Sequence, residues 1–141
     1  MMVRISDEKL LEILRENARL PYVKIAEKLG VSEAAVRKRI KKLEKEGIIR
    51  KYTIEVDPRK IGYQIVALIG IDTKPEHYIK ALEEIKKMPE IVNLWTSSGD
   101  HMILAECWLK NSQQLTEFVG RLEKVEGTTR ICPAVILEKV K

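Results

Sequence analysis

The stretch that decides the fold is Gly30–Ile49, "GVSEAAVRKRIKKLEKEGII". Five of the seven residues from Val36 to Lys42 are Arg or Lys, yet Val36, Ile40 and Leu43 are threaded through the run at helical spacing. On a wheel of about 100° per residue these three fall on one side, Lys38, Lys41 and Lys45 gather opposite them with Ala34, and Arg37 and Lys42 take the flanks. Glu33 and Glu44 are the only acids between Ser32 and Lys45. A solvated helix ordinarily interleaves the two signs, as Glu83 and Lys87 do farther on. A helix with cations opposite its apolar stripe is suited to lie against a polyanion.

Working outward, Ser32 is a good N-cap for this helix and Gly47 a good stop. The tight turn Gly30-Val31-Ser32 joins it to a short preceding helix, opened by Pro21 and carrying Val23, Ile25, Ala26 and Leu29. Asp7 is expected to cap a first helix with the stripe Leu10, Leu11, Ile13 and Leu14. Two helices joined by a Gly-containing turn have the form of a helix-turn-helix, whose second helix enters the major groove. The N-terminal part of that helix meets base edges, which points to Ser32, Glu33, Ala34, Arg37 and Lys38. Lys41, Lys42 and Lys45 lie farther along and are placed for phosphates, where they add affinity without sequence information. Arg39 sits beside the apolar stripe and either reaches outward or pairs within the domain.

Charge along the chain agrees with this division. Residues 1–50 carry 13 Lys and Arg against 8 Asp and Glu, and residues 51–141 carry 13 of each, so the whole formal charge of +5 belongs to the first third. The 141 residues leave room for one ordinary domain or two small ones, and 45% hydrophobic content sets the chain apart from disordered sequences. The longest apolar run, Ile65–Ile71, is far short of the roughly 20 residues that span a bilayer, and the start "MMVRISDEKL" has no signal-peptide core. A cytoplasmic protein without membrane contact is expected. Cys107 and Cys132 lie outside any CxxC pattern and only two His are present, so neither a metal site nor a disulfide is expected.

From Ile48 to Val56 the pattern turns to alternation, reading as an extended connection broken at Asp57-Pro58. The remainder reads strand (63–73), helix (75–88), strand (91–97), turn (98–100), strand (101–109), helix (112–125), strand (128–138), or βαββαβ. The first of these strands is apolar on both faces, with Ile65, Ala67, Ile69 and Ile71 on one and Val66, Leu68 and Gly70 on the other. Two helices cover only one side of a four-stranded sheet, so a second copy of the chain is the expected cover for the other, giving a homodimer or larger assembly. Trp95, Trp108 and Phe118 are expected as core or interface anchors.

The stretch from Leu10 to Tyr63 resembles the N-terminal region of the leucine-responsive (Lrp/AsnC, feast/famine) transcriptional regulators. The residues that carry the likeness include Arg19, the Leu-Gly-x-Ser turn, Val36, Arg39-Ile40, Leu43 and the Gly47-Ile48-Ile49 exit. The resemblance implies an α+β protein with a helix-turn-helix (winged-helix-like) domain over residues 1–50, a hinge over 51–62, and a ferredoxin-like αβ-sandwich over 63–141 for dimerisation and effector sensing. It further implies binding to double-stranded promoter DNA as a dimer or an octamer, as a repressor or activator, with autoregulation and an amino-acid effector. Relatives place that effector at the turn before the third strand, which here is Ser98, Gly99 and Asp100. Gly99 matches the family pattern and Asp100 keeps an acid nearby, but Met102 stands where that pattern has its Asp, and Ile131, Cys132 and Pro133 replace polar residues after Arg130. Those departures leave an unusual effector, or none, as an open alternative, because a buried zwitterion needs its charges matched.

Two other function classes compete. A nonspecific architectural DNA-binding protein shares the basic helix and differs in discriminating poorly between promoter and random DNA. An enzyme reading has only Ser97, Ser98, Asp100 and His101 to draw on, and neighbours on a turn or strand generally point apart, so no catalytic residues and no cofactor are expected.

Overall fold

The computed structural model describes residues 5–141, so residues 1–4 of the expected 1–50 domain lie outside the described residues. The chain separates into two compact units, residues 1–55 and 56–141, with the division inside the stretch read as a hinge.

The first unit contains α1 (Asp7–Glu16), α2 (Tyr22–Leu29) and α3 (Glu33–Lys45). Leu10 and Leu14 of α1, Ile25 and Ala26 of α2, and Val36, Ile40 and Leu43 of α3 pack into one buried cluster. Each of the large side chains contributes roughly 1.5–3 kcal/mol by leaving water. Gly30 ends α2 in the left-handed conformation at φ 66°, a geometry that glycine adopts without a Cβ penalty. Ser32 then caps α3, its Oγ accepting the Ala35 amide at 3.1 Å.

The cap of α1 differs from expectation. Ser6 holds that place, accepting the Lys9 amide at 3.4 Å, while Asp7 is the first helical residue. The Asp7 carboxylate is drawn instead to Arg39 Nε at 2.9 Å, which also settles Arg39 as a partner within the unit. Residues 48–56 form no strand, so the winged-helix-like expectation stands without a wing among the described residues.

The second unit is built from β1 (Ile65–Thr73), α4 (Tyr78–Lys86), β2 (Ile91–Thr96), β3 (Ile103–Leu109), α5 (Ser112–Glu123) and β4 (Thr128–Val135). The strands form one sheet in the order β2-β3-β1-β4 with every neighbouring pair antiparallel, which is the βαββαβ sandwich read from the sequence. Ala67, Ile69 and Ile71, and Ile103, Ala105, Cys107 and Leu109, form the face under the helices, where Ala81, Ile85, Phe118 and Leu122 complete a buried core. Burial pushes the Cys107 thiol up to about 12.

Boundaries shift in small ways. The helix expected from residue 75 opens as a 3-10 turn, Pro75–His77, before α4 begins at Tyr78. Strand β3 starts at Ile103 because the His101 ring and the Met102 amide turn to Asp72. The last strand stops at Val135, beyond which Ile136 donates its amide to the Val66 carbonyl at 2.8 Å. By the alternation of an antiparallel ladder, the Pro133 nitrogen then faces away from β1, so the outer edge of β4 lacks a donor there.

The opposite face of the sheet is uncovered by any element of the unit. Val66, Leu68, Leu104 and Trp108 lie half-buried on it, and Trp95 is 48% exposed. Glu106 interrupts the apolar surface, accepting from Trp108 Nε1 at 2.9 Å and from Asn93 Nδ2 at 3.1 Å.

Candidate nucleic-acid interface

Helix α3 is divided lengthwise. Val36, Ile40 and Leu43 are at most 1% exposed, and Ser32, Glu33, Ala34, Arg37, Lys38, Lys41, Lys42 and Lys45 are all exposed. The eight residues selected from the sequence therefore lie on the accessible part of one helix and its cap.

Their electrostatic settings differ. Arg37 is paired with Glu33 one turn earlier, Nη2 to Oε1 at 3.1 Å, and its guanidinium lies 5.5 Å from the ring centroid of Tyr22 on α2. Lys42 approaches Glu46 at 3.9 Å. Lys38, Lys41 and Lys45 have no ion-pair partner among the described residues. An exposed row of unpaired ammonium groups on a rigid rod is a ready counterpart for phosphates, whose condensed counterions the ammonium groups displace on binding. Tyr22 was not read as a site residue. Its signal was available only as an aromatic at the start of the helix that precedes α3.

The turn after β2 is arranged otherwise. Ser98, Gly99 and Asp100 are all exposed, and the Gly99 amide donates to Ser97 Oγ at 3.1 Å. Asp100 is not free: its carboxylate lies 3.0 Å from Arg130 Nη2, and its carbonyl accepts from the same nitrogen at 3.1 Å. Arg130 Nε also donates to Asp72 Oδ2 at 3.1 Å, and His101 Nδ1 lies 2.9 Å from the same oxygen. Asp72 only accepts and arginine only donates, so the arrangement that satisfies all three has the His101 Nδ1–H directed at Asp72.

Partial burial pushes the Asp72 carboxyl up. Hydrogen bonds from His101, the Met102 amide and Arg130 together outweigh that and hold it below the ordinary carboxylate range. Gly70 makes the geometry feasible: a Cβ there would collide with the His101 ring. Asp72 is the residue that sequence reading passed over, and Arg130 was read only as part of the second patch; the sole acid of β1 was the available signal.

No group of His, Cys, Asp and Glu among the described residues is arranged to hold a metal ion, and no described helix is long and apolar enough to cross a membrane.

Comparison with known proteins agrees along the length of the chain. Residues 4–50 match the family model described as winged helix-turn-helix DNA-binding, and residues 66–141 match the Lrp/AsnC ligand binding domain. The HTH-type transcriptional regulator LrpA of Pyrococcus horikoshii is 45% identical over 141 residues, covering 99% of this chain and 100% of its own. An AsnC family transcriptional regulator from Agrobacterium tumefaciens is 27% identical, with a TM-score of 0.82 over 99% of this chain and 93% of that one. A transcriptional regulator from Neisseria meningitidis, solved as a complex with L-Met, shares the fold at 23% identity, with a TM-score of 0.83 over 99% of this chain and 93% of its own. The chain belongs to the Lrp/AsnC family of DNA-binding transcriptional regulators.

Proposed function

We propose that this chain regulates transcription by setting α3 in the major groove of promoter DNA, with Ser32, Glu33, Ala34, Arg37 and Lys38 toward base edges and Lys41, Lys42 and Lys45 toward phosphates. The observation that carries the reading is the unpaired, exposed row Lys38, Lys41 and Lys45 opposite a fully buried stripe on the same helix. A groove about 12 Å wide admits one such helix.

The uncovered sheet face supports assembly as a homodimer or octamer through Val66, Leu68, Leu104, Trp95 and Trp108, because an apolar surface of that kind on a soluble regulator is ordinarily covered. Two α3 helices would then meet successive major grooves about 34 Å apart, or multiples of that. The division of labour follows the same lines, with residues 1–50 on DNA, 51–62 connecting and 63–141 assembling and sensing. The site of action is cytoplasmic, with the DNA.

Effector contact is assigned to Ser98, Gly99 and Asp100. The L-Met complex of the Neisseria relative supports an amino acid as the ligand class. The Arg130 pairing of Asp100 in this chain means that an incoming ammonium group must compete with a resident cation. No catalytic role is assigned: the polar neighbours of His101 are the acceptors Asp72 and Asp100 and the guanidinium of Arg130, with no serine hydroxyl among them.

The test is binding of the full-length protein to the upstream region of its own gene and to random DNA of equal length, across a salt series and with a panel of amino acids. Preference for the upstream fragment, persisting as salt rises, is the expected result. Equal affinity for both would leave the architectural reading in its place.

A further inference from the structure

Among the cations of α3, Arg37 alone is held on two sides. Glu33 fixes its Nη2 end at 3.1 Å, and the Tyr22 ring of α2 lies under the guanidinium at 5.5 Å from its centroid. Both partners of the pair remain accessible, with the Arg37 side chain 53% and the Glu33 side chain 51% exposed. The lysines of the same helix have no comparable restraint. This contrast separates two kinds of contact. A phosphate is reached by a flexible point charge from many directions, whereas a base edge is read by a planar fork in one orientation. Ordering the fork before DNA arrives removes the rotamer freedom that would otherwise oppose docking.

Glu33 sharpens the distinction. An acid on the leading turn of a DNA-binding helix repels phosphates, so its presence weakens general affinity. Beyond the general preference for an acid in the first helical turn, its place there suits a partner that donates. In the major groove cytosine N4 and adenine N6 are such donors, adenine also presenting an N7 acceptor that a carboxylate repels, while guanine O6 and N7 suit an arginine fork. The thymine O4 and guanine O6 acceptors would both be rejected by a carboxylate.

We propose that Glu33 and Arg37 act as one reading unit for neighbouring guanine and cytosine edges of the operator, and that Tyr22, which touches no base, is the positioning residue that sets the plane of Arg37. This rests on the reading of α3 as the groove-binding helix.

The experiment measures the affinity of the full-length protein for its bound promoter segment with each position changed in turn to all four bases. The unmodified chain is expected to show at least one position where guanine is preferred by about 5- to 150-fold, the range for one bidentate contact. Arg37→Lys, which keeps the charge and loses the fork, flattens that position alone. Tyr22→Leu keeps apolar bulk, removes the ring face, and weakens the same preference by a larger factor than it changes affinity for random DNA; Tyr22→Phe restores it. Glu33→Ala raises affinity for random DNA and relaxes the choice of cytosine.

The proposal is overturned if Arg37→Lys leaves the preference at every position intact, or if Tyr22→Leu and Tyr22→Phe behave alike. Should Tyr22→Leu fail to fold, Arg37→Lys decides the reading unit and Tyr22→Phe against Tyr22→His decides the positioning role. A combined Lys38, Lys41 and Lys45 to Ala variant separates the two levels. If it binds DNA as tightly as the unmodified chain, the placement of α3 is wrong. If it binds weakly and Arg37→Lys changes nothing, only the reading unit is.

Discussion

Helix α3 and the turn after β2 both concentrate charge, and they treat it in opposite ways. On α3 the cations Lys38, Lys41 and Lys45 stand exposed with no ion-pair partner among the described residues, and the apolar residues beneath them hold the helix in place. Around the turn, Arg130 is shared between Asp72 and Asp100, and His101 is drawn to Asp72, so each charge meets its counterpart within the chain. Uncompensated charge on a rigid element points outward to a partner of opposite sign. Compensated charge reports a geometry that the chain itself needs, and any ligand that enters must displace part of it.

The comparison breaks most visibly at α3. Replacing Lys41 and Lys45 together by Ala should lower affinity for all DNA sequences about tenfold and make the log–log salt slope shallower by about 1.8. Titrations at several salt concentrations measure both. Thermal stability should not fall, since no native ion pair is lost.

At the turn the expected loss is in stability. Asp72→Asn removes charge-assisted hydrogen bonds from His101, the Met102 amide and Arg130, and should destabilise the second unit by roughly 1–3 kcal/mol near pH 7. The folded carboxyl is held low, so this stabilisation is complete above its unfolded value of about 3.9 and declines as pH falls through that value toward the folded one. Denaturant curves for Asp72→Asn and the unmodified chain should therefore converge below about pH 4. A difference that persists at pH 2 would show that packing, not charge, accounts for it.

Smaller effects sharpen the contrast. Ser32→Ala removes the cap of α3 and should cost about 1 kcal/mol of stability in the first unit, read from its thermal midpoint. Lys80→Ala breaks an exposed pair with Glu126 and should change stability by no more than about 0.5 kcal/mol.

What was legible in the sequence follows the same division. The stripe Val36, Ile40 and Leu43, the cap Ser32 and the stop Gly47 act within one or two turns of helix, so spacing alone reveals them. The order of strands and helices was readable because βαββαβ alternation limits the topologies available. The cap of α1 was misplaced by one residue because the pull of Arg39 on Asp7 comes from a different helix. The Asp72 cluster was missed for a related reason: His101 and Arg130 lie 29 and 58 residues away from Asp72 along the chain, and only the sheet register brings them together. Likewise, nothing local ties Tyr22 to Arg37, and the turn between α2 and α3 makes them neighbours.

Pro133 sets a limit on how copies of this chain add to one another. Strands that join along their margins leave a fresh margin each time, so such growth has no natural end, whereas two sheets that meet broadside use up the surfaces that brought them together. By withholding one amide hydrogen from β4, one of its two edge strands, the molecule disfavours the open-ended route along that margin.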